Sequence, residues 1–152
     1  TPWNDRTRAA LAIPDKPSVA VLPFSNMSGD PDQEFFSDGF TEDIITGLSR
    51  LHDLFVIARN SSFKFKAQDT DIRQIATDLG VRYVLEGSIR KAGEKLLINA
   101  QLIDVGSGSH LWAKRYDVDA KELLAVQDEV TQEIVSTLVS KVRSTDTVRA
   151  KR

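Results

Sequence analysis

Four carboxylates follow the first apolar segment of the chain, in the turn SNMSGDPDQEFFSDG at residues 25–39. A turn between a strand and a helix can bind phosphate through the free N–H groups of the helix, and carboxylates at alternate positions can bind calcium. The turn has neither GxGxxG nor a P-loop motif, and its acidic side chains would repel phosphate. Asp30 and Asp32 have the spacing of the first two ligands in an EF-hand loop, but the rest of the EF-hand pattern does not follow. The pattern indicates a solvated acidic turn, whose carboxylates are Asp30, Asp32, Glu34 and Asp38.

Histidine and serine are the other candidates for acid–base or nucleophilic chemistry. The two histidines, His52 and His110, form neither an HExxH motif nor another helical pair that would bind zinc. Gly106-Ser107-Gly108 is not the GxSxG motif of a nucleophile elbow, and it joins two predicted antiparallel strands. The chain has no cysteine, which excludes disulfides and thiolate metal ligands. The sequence predicts no catalytic residue, no metal ligand and no cofactor.

A polar segment, Arg59-Asn60-Ser61-Ser62, follows a strand of the buried type. Ligands of open α/β sheets bind at the carboxyl ends of strands, and an arginine can hold a carboxylate or another anion through two parallel hydrogen bonds. Short polar side chains also bond local backbone groups in turns, and the sequence favours this structural role. Arg59, Asn60, Ser61 and Ser62 are the candidate ligand or partner contacts at this edge.

Trp112 and Tyr116 form the second set of candidate contacts, because they alternate along one strand with His110 and Lys114. If this side of the strand is exposed, its aromatic and basic residues would suit a protein interface. If the last helix covers it, Trp112 and Tyr116 belong to the core, which is the interpretation that the sequence favours. Extra valines on that helix indicate either deep burial or contact with a partner domain; they are Val135, Val139 and Val142.

Length and composition indicate one globular domain. The chain has 152 residues, of which 41% are hydrophobic and 28% charged, and its formal net charge is -2. These values are ordinary for a folded domain, and the charge gives no reason to expect nucleic-acid binding. No apolar run reaches the roughly 18 residues of a membrane span. The chain begins with Thr1, which is typical of a fragment or a processed protein.

The hydrophobic periods predict the element order β-α-β-α-β-β-β-α and a mixed α/β (α+β) fold. Five strands would form one mixed sheet covered by three helices, with the last three strands as an antiparallel meander. Residues 1–16 are predicted to be a linker, 17–143 the domain and 144–152 a polar tail. The strands are predicted at 18–24, 53–59, 81–91, 95–104 and 109–117, and the helices at 33–51, 72–79 and 120–142.

Four residues are predicted to cap these helices. Thr41 is the expected start of the first helix, because Gly39 weakens the turns before it. Asp71 with Gln74 resembles a capping box, and Gly80 suits the C′ position of the second helix. A second capping box, at the start of the last helix, is predicted from Asp119 and Glu122.

An ordered series of motifs resembles the TolB-like amino-terminal domain of proteobacterial class III adenylate/guanylate cyclase proteins, where it precedes tetratricopeptide repeats. The similarity runs from about Pro17 to Val142. The motifs are PSVAVLPFSNMSGDPDQEFFSDGFTEDIITGLSRL, LFVIARNSSFKFK, IATDLGVRYVLEGSIRK, INAQLIDVGSGSHLWAKRYD and DEVTQEIVSTL.

The resemblance implies a protein-interaction fold within a multidomain chain. Its other end would carry a cyclase, a kinase or a CadC-like winged helix, often across a membrane span. No catalytic residues are implied for this part. We therefore expect a non-catalytic regulatory or protein-interaction module, whose partners are the other domains of its parent, a separate protein or a second copy. The alternatives are a small-ligand sensor of a CadC-like transcriptional regulator and a structural spacer between membrane and repeats. Trp3 near Arg6 and Arg8 slightly favours the periplasmic side over the cytoplasm.

Overall fold

The computed structural model describes residues 17–28, 31–57 and 71–150, with the side chains of residue 32 and of residues 146–150 excepted. The predicted linker and the Arg59–Ser62 segment lie outside these ranges. The elements are β1 (Ser18–Val21), β2 (Ser25–Asn26), α1 (Pro31–Ser49), β3 (Phe55–Val56), α2 (Ile72–Leu79), β4 (Tyr83–Ala92), β5 (Lys95–Asp104), β6 (Ser109–Asp119), a 3-10 turn (Ala120–Glu122) and α3 (Leu123–Ala150).

One mixed sheet holds all six strands in the order β3-β1-β4-β5-β6, and β2 pairs with β4 beside the end of β1. β1 runs parallel to both β3 and β4, whereas β4, β5 and β6 form an antiparallel meander. Helices in the connections allow the parallel pairing, and tight turns make the antiparallel one. The predicted fold class is confirmed, with β2 as an additional short strand.

The first strand is shorter than predicted because Pro23 interrupts it. Proline has no N–H to donate to a ladder, and the regular pairing of β1 with β4 ends at Val21. The backbone N–H of Phe24 donates instead to Thr41 Oγ1 at 3.0 Å. The ring of Phe24 is buried and meets Phe40 edge-on at a centroid distance of 5.3 Å. Pairing with β4 resumes in β2.

The first helix begins at Pro31, two residues before the predicted range 33–51, so the interpretation of Thr41 as its N-cap is wrong. Pro31 is its first residue, a position where the fixed φ of proline is favourable and its missing N–H costs nothing. Packing of Phe36 against Phe40, with centroids 5.7 Å apart, holds the turn that contains Gly39. Thr41 is fully buried within the helix and donates its hydroxyl to Ser37 O at 2.8 Å.

Two hydrophobic clusters cover opposite faces of the sheet. On one face α1 and α3 pack side by side over all of the longer strands. On the other face only α2 packs, over β1 and the beginning of β4. The larger cluster is centred on the fully buried side chains of Phe40, Ile44, Leu48, Tyr83, Leu85, Ile89, Leu96, Leu102, Ile134 and Leu138. One half of the second face thus has no helix over it among the described residues.

The predicted caps of α2 are present in part. Asp71 accepts a hydrogen bond from the N–H of Arg73, and Gly80 ends the helix in the left-handed conformation with φ 71°. The side chain of Gln74 donates to Asp78 in the next turn. Asp119 accepts from Lys121 N, but it caps the 3-10 turn, and α3 begins only at Leu123.

The last helix extends eight residues past its predicted end, through Ala150. Of the valines that widened its apolar arc, Val139 and Val142 are buried, and Val135 packs half-buried against the core. Val135 lies against Gly47 of α1, where an added Cβ would be 3.0 Å from its Cγ2. The structure therefore favours deep burial as the explanation of these valines.

Gly87 is predicted to be the glycine least tolerant of a side chain. A Cβ there would lie 2.1 Å from Asn99 O and 2.5 Å from a ring carbon of Phe24. We expect Gly87→Ala to lower the free energy of unfolding by about 2 kcal/mol or more, through overpacking of this contact. Urea denaturation measures the change.

Gly39→Ala is the matched control, since nothing lies within 4 Å of the Cβ it would add. It should raise stability by about 0.5–1 kcal/mol, because alanine favours a helix interior over glycine. Equal effects of the two substitutions would contradict this account of the core.

Candidate functional site

The segment Arg59–Ser62 lies outside the described residues, so its role as a ligand or partner contact stays a prediction. Phe55 and Val56 of β3 pair with Ser18 and Val19 of β1 in parallel. β3, which precedes the segment in the sequence, is therefore a parallel strand, as the prediction assumed, and it forms the edge of the sheet opposite β6.

Trp112 and Tyr116 lie on the face of β6 that α3 covers. Tyr116 is buried, with 7% of its surface exposed, and Trp112 packs half-buried against the same core. The interpretation of these residues as core is confirmed for Tyr116 and holds in part for Trp112. Their role as partner contacts stays a prediction.

A β-bulge separates His110 from the aromatic side of β6. Leu102 pairs with Trp112 but Ile103 pairs with His110, so Leu111 is an extra residue. The bulge reverses the alternation of side chains. The expectation that His110 shares a face with Trp112 is wrong, since its Nδ1 lies 3.2 Å from Gln101 Oε1 on the opposite face.

A charged cluster lies where β6 meets α3. Lys114 forms an ion pair with Glu133 of α3, and its Nζ is 4.8 Å from the centre of the Tyr116 ring. The Tyr116 hydroxyl is buried beside Glu133 of α3. Burial and then the negative charge of Glu133 raise the pKa of Tyr116 to about 12.

The uncovered half of the sheet carries a continuous polar surface, which we call the open face. Gln101 Nε2 donates to Glu86 and its other amide atom contacts His110, which links three strands. Asn99 lies 3.5 Å from the hydroxyl of Ser88. A shallow hollow of about 520 Å³ runs over this surface. The open face comprises Glu86, Ser88, Asn99, Gln101, His110, Ala113 and Arg115.

An arginine–aspartate pair fixes the end of the meander. Nε and Nη2 of Arg82 each lie 3.1 Å from an oxygen of buried Asp104. Asp104 also accepts from Gly106 N at 3.1 Å. The guanidinium fills the space where a Cβ on Gly106 would be. Strand alternation gave no sign of this pair, because Asp104 resembles an ordinary polar residue at a turn.

No cluster of metal-binding side chains is present in the part of the chain that the structure describes. No group of three or more His, Asp or Glu side chains there could hold an ion. His110 contacts an amide, and His52 is exposed in the turn after α1. The polar side chains of the open face instead form hydrogen bonds across neighbouring strands.

The fold and this surface define an α/β domain of the TolB-like class. A family model described as HilA/YgeH-like transcriptional regulator, second domain, matches residues 15–137. The chain belongs to this family of regulator second domains. This family match, a relative named as a putative adenylate cyclase and the solved structure of TolB together confirm the predicted resemblance to a TolB-like domain of a cyclase-type protein.

One curated relative with high sequence identity is a much longer protein. "Putative adenylate cyclase 3" of Rhizobium meliloti (strain 1021) is 58% identical over 137 residues, which are 90% of this chain and 23% of that protein. The chain therefore spans about a quarter of the length of this curated relative.

Solved structures share the fold at low sequence identity. TolB from Acinetobacter baumannii superimposes with a TM-score of 0.56 at 21% identity, over 82% of this chain and 29% of that one. Lipoprotein GNA1162 from Neisseria meningitidis gives 0.54 at 19% identity, over 80% of this chain and 98% of that one. No helix of the described residues has the length and apolarity to cross a membrane.

Stability should fall as the pH rises from about 10 to about 12, because folding raises the pKa of Tyr116 above its ordinary value of 10. Between these values the folded state keeps a proton that the unfolded state has lost, so each rise in pH favours unfolding. Below pH 10 the contribution is complete. Denaturant unfolding across this range, compared with Tyr116→Phe, measures it. An equally steep decline in the phenylalanine variant would contradict the assignment.

Proposed function

We propose that this chain is a non-catalytic regulatory module of a multidomain bacterial signalling protein of the adenylate cyclase type. The observation that carries the proposal is the relative named as a cyclase. The match covers 90% of this chain at 58% identity, but only 23% of the length of that relative. A module that makes up so small a part of a larger protein has neighbouring domains to act on. The match to a transcriptional regulator family supports a regulatory role with more than one kind of output.

The module contacts a neighbouring domain of its parent through the open face. This half of the sheet has no helix over it in the described residues, whereas the other face is covered by α1 and α3. Its side chains are polar and partly exposed, and contacts between domains of one chain are more polar than permanent interfaces. A polar contact can form and separate, which a regulatory module requires.

The second candidate is a ligand sensor of a transcriptional regulator, which the family match favours. Its binding site would be the Arg59–Ser62 edge, where an anion could meet the guanidinium. We place the module on the periplasmic side of the membrane, supported by the sequence Thr1-Pro2-Trp3 with its following arginines. One of the structural relatives is named as a lipoprotein, which agrees with this location.

Asn99→Arg tests the proposed contact, because Asn99 is exposed in the middle of the open face. A long cation there would block a fitted neighbour. In the full-length protein we expect the rate of cyclic nucleotide formation to change by about fivefold or more, corresponding to a coupling of about 1 kcal/mol.

Gln132→Arg is the matched control, since it adds the same charge on the exposed side of α3. It should leave the rate unchanged. The isolated 152-residue chain should form no cyclic nucleotide from ATP or GTP with magnesium. Turnover by the isolated chain at an ordinary enzymatic rate, or equal effects of the two arginine variants, would overturn the proposal.

A further inference from the structure

β6 is a long strand at the edge of the sheet. It has 11 residues, Ser109–Asp119, and pairs with β5 on one side only. None of the described residues pairs with its outer side. Edge strands of this length attract other strands unless they are blocked, so the chemistry of the outer side decides what can bind there.

The outward backbone groups belong to the odd-numbered residues of β6. Ala120 N donates to Glu94 O at 2.8 Å, just beyond the paired ends of β5 and β6. In an antiparallel ladder, pairs of residues joined by backbone hydrogen bonds alternate with pairs that are not. Because residue 120 is hydrogen-bonded to residue 94, the even-numbered residues of β6 are the ones whose backbone groups bond to β5. The N–H and C=O groups of Ala113, Arg115 and Asp117 therefore point away from the sheet.

No described residue fills the space along this outer side. A hollow of about 360 Å³ follows residues 114–119 and continues to Val126 and Val130 of α3. Its lining includes side chains from both faces of the strand, so the hollow straddles the edge. An added strand would lie here, with one row of its side chains near the apolar residues of α3.

The charges of the outer side are self-complementary. Arg115 and Asp117 are successive outward residues on the open-face side, 3.5 Å apart and exposed by 58% and 54%. In an antiparallel pair with a second copy, centred on Tyr116, Arg115 lies opposite the partner's Asp117 and Asp117 opposite the partner's Arg115. The register centred on Arg115 places two arginines face to face, which is unfavourable. The register centred on Asp117 places two aspartates face to face, although Arg115 then lies opposite the partner's Asp119. Only the register centred on Tyr116 pairs both charges without a like-charge contact.

We propose that two copies of this chain pair through their β6 edges, antiparallel and centred on Tyr116, to form one continuous sheet. The twofold axis would run through the sheet, so α1 and α3 of both copies cover the same face. A single pair of strands buries less than a standard interface. The dimer is thus weak and reversible, with a dissociation constant in the micromolar range. This inference goes beyond the proposed function, because it concerns self-association and not the contact with a neighbouring domain.

Charge reversal of β6 tests the register. Sedimentation equilibrium of the 152-residue chain, over a wide range of concentration, should give a monomer–dimer equilibrium. Arg115→Asp places like charges opposite each other at two points and should weaken dimerisation at least tenfold. Asp117→Arg should do the same. The double exchange Arg115→Asp with Asp117→Arg restores both pairs, and its dissociation constant should return to within about threefold of the natural one.

Asp128→Arg, on the exposed side of α3, is the matched control for charge and should not alter dimerisation. Thermal unfolding checks that each variant is folded, which is expected because both residues of the pair are more than half exposed. Amide exchange at Ala113, Arg115 and Asp117 should slow only at concentrations where the dimer forms. A monomer at every concentration, a dimer insensitive to the single reversals, or a double variant as weak as the single ones would overturn the proposal. None of these outcomes depends on the Asn99 experiment.

Discussion

The structure depends on the close contact between Phe24 and Gly87. Pro23 ends β1, and Phe24 then turns its ring into the core and gives its N–H to Thr41 of α1. The ring occupies the space that a side chain on Gly87 would need. One aromatic residue thus joins the end of β1, the middle of α1 and the middle of β4. Because the parallel and antiparallel halves of the sheet meet at β4, this contact connects α1 to the strand that the two halves share.

The position of α1 determines which surfaces remain accessible. With α1 and α3 together on one face, the apolar side chains of β4, β5 and β6 are covered. The short helix α2 covers only β1 and the beginning of β4 on the other face. The antiparallel half can leave one face in water, as the parallel half cannot. The open face and the outer edge of β6 both result from this unequal covering.

Much of the fold follows from local patterns. The alternation in KLLINAQLID predicted β5 at its observed bounds, 95–104, and Asp71 and Gly80 predicted both ends of α2. The departures arise where tertiary contacts override local preference. Thr41 has the chemistry of a cap but lies inside a helix, because Phe24 needs its hydroxyl as an acceptor. The bulge at Leu111 moves His110 to the open face, and no period in the sequence marks that extra residue. The pairing of Arg82 with Asp104 joins residues 22 positions apart, which spacing alone does not predict.

The most direct test of the central claim is hydrogen exchange of the open face in the isolated chain and in the full-length protein. If a neighbouring domain binds there, the amides around Ser88, Asn99 and Gln101 should exchange more slowly in the full-length protein, while those on the outer side of α3 keep the same rate. Equal exchange rates of the open face in the two forms would contradict the claim that this surface is where the module meets its parent.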